Sequence, residues 1–291
     1  MCAIEKGAER MKKHYFLATS ALAVLALAAC GDTAAPVTGT QDESNLTLQQ
    51  VFDKAIERQQ TLKNVHAAVD MKQEMEMEFE GQQMLFTTAS NFEMDAQQSP
   101  LAMFMTGTVA MDMGGEMMEM PLEMYMTEAD GFYMLNAEAN EWMKLPDDQY
   151  EQMLAQTGAQ ADATAQLEQL KQFVEDFEFK QDDKNYLLTL HVEGEKFKEL
   201  VMGQLGTSLS ELTEQSGDVF ETMAFEDSKY ELTINKATFD NEEMTMDLTI
   251  LMDEQGQQSK ITNDAKIIYS KFDQLDEIKI PNEVKNKAIS E

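Results

Sequence analysis

Methionine is the residue whose number and spacing first point to chemistry. The chain carries 24 methionines, and 17 of them lie between Met71 and Met153. Met103 and Met105, Met111 and Met113, Met118 and Met120, and Met124 and Met126 are each two residues apart, so on a strand both thioethers of a pair point to one side. Three chemistries fit such pairs. Methionine fills an apolar core, it makes an adaptable wall for an irregular apolar ligand, and paired thioethers form the kind of soft site that Cu(I) prefers. Against copper, the pairs look integral to strands rather than to an exposed loop, and neither His66 nor His191 flanks them.

Catalytic chemistry is poorly served. The histidines are His14, His66 and His191. His66 falls on the charged parity of its segment and His191 on the parity opposite Leu188, Leu190 and Val192, so a Ser-His-Asp arrangement would need an unmarked alignment. A Gly-rich phosphate loop and the EF-hand spacing are both missing. Glu74, Glu76 and Glu78 alternate with apolar positions, which reads as a solvated outer face rather than as a glycosidase pair or a calcium site. We therefore expect no enzyme, no catalytic residue, no resident metal and no cofactor. Charge excludes a further class of partner. With 22 Lys+Arg against 54 Asp+Glu, the formal charge is −32, and such a surface repels a phosphate backbone. A hydrophobic share of 43% still allows a sizeable core.

The N-terminal segment carries an address. Lys12, Lys13 and His14 precede an apolar run from Tyr15 to Leu27 that is short for a membrane span, which is the pattern of a signal peptide. It closes on Leu27-Ala28-Ala29-Cys30-Gly31, which looks like a bacterial lipobox, with Cys30 the residue acylated. Residues 1–10 suit a start assigned too far upstream, with Met11 the true start. The expected organisation is a signal peptide over 1–29, a flexible tether over 30–45, one domain over 46–285 and a tail over 286–291. The acylated Cys30 would hold the domain on the extracytoplasmic side of the cell membrane. Removing residues 1–29, with four cations and two acids, takes the formal charge to −34. The mature chain then has no second cysteine, so the domain rests on its core rather than on disulfides.

Periodicity supplies the elements. Leu48, Val51, Phe52, Ala55 and Ile56 share one face of a helix over 46–62 that Thr47 is placed to cap. From Val65 the period is two, and strands follow to a turn at Gly81, to Ser99-Pro100, to Gly114-Gly115, and on to Thr127, as a meander. Short strands are expected near Phe132–Asn136 and Trp142–Leu145, and a helical zone over 146–177 with a break at 157–164. Strands at 177–179 and 186–192, a helix at 195–212, and strands at 230–239, 244–252 and 261–269 complete the chain. This makes nine to eleven antiparallel strands whose apolar face about three helices must cover.

The order of lipobox, tether, amphipathic helix, Met-rich meander, aromatic hairpin (Phe132-Tyr133-Met134-Leu135 and Trp142-Met143-Lys144-Leu145), helices, further strands and a closing Ile278-Lys279-Ile280-Pro281 is similar to a family of Gram-positive lipoproteins. That family resembles, at a distance, the LolA and LppX/LprG lipid carriers. The resemblance covers about residues 46–281 and implies an α+β fold, a curved and unclosed antiparallel β-barrel roofed by helices, with acyl chains held on its concave face. It carries over no catalytic residue. The implied ligand is a lipid or other apolar small molecule. The expected wall is Met71, Met75, Met77, Phe86, Met103, Met105, Met111, Met113, Met118, Met120, Met124, Met126, Leu248 and Ile250. The rival class is an envelope interaction or structural lipoprotein with a filled core. Neither reading names a protein partner, which stays unknown.

Overall fold

The protein is described here by a computed structural model covering residues 33–79, 82–113, 115, 117–157, 163–192, 224–254 and 257–290. The signal segment with Cys30, the first residues of the expected tether and the helix expected over 195–212 lie outside the described residues. The strands are β1 (Ala35–Pro36), β2 (Asn64–Phe79), β3 (Gln82–Gln98), β4 (Leu101–Met113), β5 (Met117–Thr127), β6 (Gly131–Asn136) and β7 (Glu141–Lys144). They continue as β8 (Phe177–Gln181), β9 (Asn185–Val192), β10 (Ala224–Asn235), β11 (Asn241–Glu254), β12 (Gln257–Ser270) and β13 (Ile289–Ser290). The helices among the described residues are α1 (Leu48–Thr61), α2 (Asp147–Thr157), α3 (Ala163–Lys171) and α4 (Asn282–Lys287).

All 13 strands form one unclosed sheet in the order β1-β8-β9-β10-β11-β12-β2-β3-β4-β5-β6-β7-β13. The chain lays down β2 to β7 as one meander, crosses through the helical zone to the other edge, and lays down β8 to β12 as a second. The two halves are joined by β12 and β2, paired from Ser259↔Met77 to Ser270↔His66. Because side chains alternate, the register sorts the whole sheet into two faces. One face gathers the apolar parities of β9 through β7 with most of the strand methionines, Met117 beside Asp112 being on the other. The other carries the charged positions of β2, β10, β11 and β12. The strand count exceeds the nine to eleven expected by two edge strands of two residues each, β1 and β13, which pair parallel to β8 and β7. Each covers two residues at the edge of a sheet that is otherwise antiparallel.

α1 begins where the sequence places its cap. The Gln50 backbone N–H donates to Thr47 Oγ1 at 3.3 Å, and Thr47 N–H donates to Gln50 Oε1 at 3.0 Å, a capping box that satisfies two end donors. Leu48, Val51, Phe52, Ala55 and Ile56 are buried against Leu167 and Leu170 of α3 and against Tyr186, Leu188, Leu190, Tyr230, Leu232 and Ile234 of the sheet. The main core therefore sits on the apolar face at β8 to β11. Within it, burial pushes the Tyr230 phenol up to about 12, so it stays neutral. A smaller cluster forms on the opposite face, where Ile280 and Val284 seal Tyr133 beside Tyr125 and Trp142.

Two segments outside the expected domain are bound to it. Residues 33–45 were expected to be flexible from their composition, yet they run along β8. Buried Gln181 explains the difference: its amide donates to the carbonyls of Ala34 at 2.7 Å and Ser44 at 3.1 Å and accepts from Ser44 N–H at 2.8 Å. Asp183 accepts from the N–H groups of Gln41 and Asp42, and these bonds hold its carboxyl below the usual carboxylate range. The C-terminal tail is likewise fixed by α4 and by β13. β10 starts six residues before the expected Tyr230, through a register shift between Glu226 and Lys229 that breaks the alternation.

Arg58, at the last turn of α1, ties three parts of the chain together. Its Nε donates to Asp240 at 2.6 Å and its Nη2 reaches Asp273 at 2.9 Å, so helix, β10–β11 turn and C-terminal segment meet on one guanidinium. Asp273 also accepts from Lys63 N–H at 2.6 Å.

Candidate functional site

The expected wall residues of β2 to β5 do share one face. The register places Met71, Met75 and Met77 of β2 beside Ser90, Phe86 and Met84 of β3, and Phe86 opposite Met113 of β4. It pairs Met103 with Met126, Met105 with Met124, Val109 with Met120 and Met111 with Met118. Met75, Met77, Phe86, Met103, Met105, Met111, Met120, Met124 and Met126 are half-buried, while Met71 and Met118 are 44% and 49% exposed. The side chain of Met113 lies outside the described set. Leu248 is buried in the main core, in one cluster with Tyr230, Leu232 and residues of α1 and α3. Half-buried Ile250 pairs with Ile261 and Phe225 further along β11. Polar side chains interrupt the apolar face at Asn263, Gln73 and Thr88, one cross-strand row, where Gln73 donates to Asn263 at 2.8 Å.

Strand geometry is fixed most tightly at Gly107. A Cβ there would meet the Asn91 carbonyl oxygen at 2.1 Å and the Phe92 Cα at 2.5 Å, so β3 and β4 approach more closely than any side chain permits. The same half of the sheet is backed on its other face by aromatic rings. Phe104 and Tyr125 stack with centroids 4.5 Å apart, and Tyr125 meets Trp142 at 5.7 Å. Burial, followed by the nearby Glu123, holds the Tyr125 phenol above its ordinary value.

An open concavity of about 540 Å³ lies on the charged parity rather than over the methionines. Asp70, Lys72, Asn91, Thr108, Asp247 and Lys266 line it from five neighbouring strands, with Met71 also at its lining. A smaller one of about 340 Å³ sits at the tip of β3, lined by Met84, Phe86 and Asp112 among others. The sequence contains no sign of which parity is concave, because curvature is a property of the assembled sheet.

The titratable candidates are absorbed into the charged face. His66 has Nδ1 2.6 Å from Asp95 and Nε2 2.6 Å from Glu93, so both ring nitrogens are taken by β3 carboxylates. His191 is exposed, opposite Lys229. Glu74 pairs with Lys72 at 2.7 Å. Among the described residues, no group of three His, Cys, Asp or Glu side chains is placed to hold a metal ion. Likewise, no described helix is long and apolar enough to cross a membrane. The wall expected from sequence leaves out Met84, Met94, Met134 and Met143, which lie on the methionine face. Alternation marks Met84 and Met94 within β3, but only the pairing register brings Met134 and Met143 into line with the others.

A family model described as a family of unknown function, DUF6612, matches residues 47–289, and the chain belongs to that family. No curated protein matches it. Two solved structures show a remote likeness. A DUF1329 family protein from Desulfovibrio piger ATCC 29098 is 9% identical, with 76% of this chain and 90% of that chain covered and a TM-score of 0.20. A β-barrel-like protein of the domain of unknown function DUF1849 from Brucella abortus is 9% identical, with 72% and 100% covered and a TM-score of 0.19. At these scores neither bears on function.

Proposed function

We propose that this member of the DUF6612 family is an extracytoplasmic lipoprotein, anchored through Cys30, that holds a lipid or other apolar ligand against the methionine face of its sheet. One observation carries the reading: Met71, Met84 and Met118 stand 44%, 37% and 49% exposed beside rows of half-buried methionines, on a chain with a formal charge of −32. Apolar side chains left open beside such rows on an otherwise strongly charged protein are what a ligand or partner covers. Methionine suits the role because its unbranched side chain repacks around irregular apolar shapes. The proposed action is binding rather than turnover: among the described residues, His66 is committed to ion pairs and His191 to solvent. The LolA and LppX/LprG likeness remains part of this proposal.

The placement of the 540 Å³ concavity on the opposite face favours a second reading, an envelope interaction module whose methionine face meets another protein. The two separate on one experiment. The chain is purified from its membrane fraction, extracted with organic solvent and analysed by mass spectrometry. A lipid at near-stoichiometric ratio supports the carrier, whereas a lipid-free chain that elutes with a protein partner supports the module.

A further inference from the structure

The pairing register creates a feature that spacing along the chain does not show. Met94 of β3 stands opposite Met105 of β4, Met105 opposite Met124 of β5, Met124 opposite Met134 of β6, and Met134 opposite Met143 of β7. Five thioethers from five successive strands therefore occupy one cross-strand row on one face. All five side chains are half-buried, so they are held by packing yet within reach of solvent. We propose that this row is a binding site for a soft monovalent cation, Cu(I) or its analogue Ag(I).

The argument rests on spacing, ligand type and rigidity. Directly opposed residues in an antiparallel sheet have Cβ atoms about 4.5–5.5 Å apart. A methionine side chain has enough rotatable bonds to bring the sulfurs of three adjacent row members to a common centre. No nitrogen or carboxylate donor lies in the row itself; the row on one side consists of Ala96, Met103, Met126 and Phe132, and that on the other of Phe92, Gly107 and Leu122, with the Asn136–Glu141 pair on the same parity at the β6–β7 end. Such an all-thioether set has little affinity for Zn²⁺, Mg²⁺ or Ca²⁺ and matches the soft end of the scale. Packing alone does not call for it, because Val and Ile suit a half-buried strand position better than methionine. Three of the strands that carry the row, β4, β5 and β7, are tied together from behind by the Phe104, Tyr125 and Trp142 rings, which favours preorganised ligands. Binding involves no electron transfer and no covalent step. Thioethers do not titrate, so affinity is set without proton release, unlike that of a histidine or cysteine site.

The test uses the purified chain labelled at the methionine methyl groups with ¹³C and titrated with silver nitrate, with zinc chloride as the contrast. The expected result is saturation near one equivalent of Ag(I), with a minority of the methyl resonances moving, no response to Zn²⁺, and the same affinity at pH 5 and pH 8. Met124→Leu and Met134→Leu, which nearly conserve volume, are each expected to weaken Ag(I) at least tenfold, while Met244→Leu on β11 leaves it unchanged. Uniform weak shifts across all methionines in the wild-type titration would overturn the proposal without recourse to any variant. So would equal affinity in the ladder variants, or a tenfold change in affinity between the two pH values. The lipid content of the protein plays no part in this readout, so its outcome is separable from that of the carrier reading.

Discussion

Arg58 is the one arginine beyond residue 10, and replacing it by methionine should cost stability far out of proportion to a surface charge. Arg58→Met keeps most of the apolar stem and removes the guanidinium that bonds Asp240 at 2.6 Å and Asp273 at 2.9 Å. The Asp240 side chain is only 9% exposed, so it is left as a carboxylate with little water in place of its cation. Breaking a fully buried pair costs about 3–5 kcal/mol. Here Arg58 is 20% exposed and Asp273 is a third exposed, which admits some solvent and makes the second contact worth at most about 1 kcal/mol. We therefore expect Arg58→Met to lose about 2–3 kcal/mol. Pairing it with Asp240→Leu should recover much of that loss, because the stranded charge is removed as well. Urea unfolding followed through Trp142 fluorescence, the sole tryptophan, and through circular dichroism measures all members of the double-mutant cycle. A loss below about 0.5 kcal/mol for Arg58→Met, or strict additivity in the double variant, would refute the clamp.

The acid limb of stability should depend on Asp273. Burial raises its carboxyl, but the Lys63 N–H and the Arg58 guanidinium outweigh that, and the folded value lies below the ordinary one. Its contribution is thus fully present above the unfolded carboxylate value of about 4 and is lost as pH falls through the depressed folded value. Asp273→Asn should flatten the fall in urea midpoint below that pH, and an unchanged acid limb would count against the assignment. Gly107→Ala cannot be accommodated by turning a side chain, because its methyl meets backbone atoms, so β3 and β4 must part at a cost of about 2–4 kcal/mol. A midpoint within error of wild type would show the approach to be looser than described. Gln181→Leu removes the amide that holds residues 33–45. A glutamate-specific protease should then cut after Glu43 at least tenfold faster, while equal rates would mean that Asp183 and β1 hold the segment alone.

Legibility in the sequence followed the range of the interaction. The Thr47 cap is local, and so are the alternation of β2 to β5 and the aromatic hairpin, and all three fall where the sequence places them. What depended on partners far along the chain was not visible. Gln181 reads as an ordinary polar strand end until Ala34 and Ser44 arrive to use its amide. Leu248 and Met120 have the same apolar parity, yet α1 and α3 bury only the first. The row from Met94 to Met143 exists only in the register, and the concave side of the sheet follows from accumulated twist rather than from any residue. Arg58 carried one clue, its uniqueness, and its two carboxylates lie 182 and 215 positions away.

Lipid retained per protein in Met124→Asp against the wild type, measured by solvent extraction and mass spectrometry, tests the central claim most directly. A carboxylate on that half-buried position faces the proposed ligand and is costly to desolvate. Glu119→Gln on the opposite parity is the control, and Met124→Gln replaces Met124→Asp if the charged variant does not fold. We predict that the wild type and Glu119→Gln retain lipid at a similar ratio while the Met124 variant retains at most a tenth of it. Folded Met124→Asp with undiminished lipid would contradict the assignment of the ligand to the methionine face.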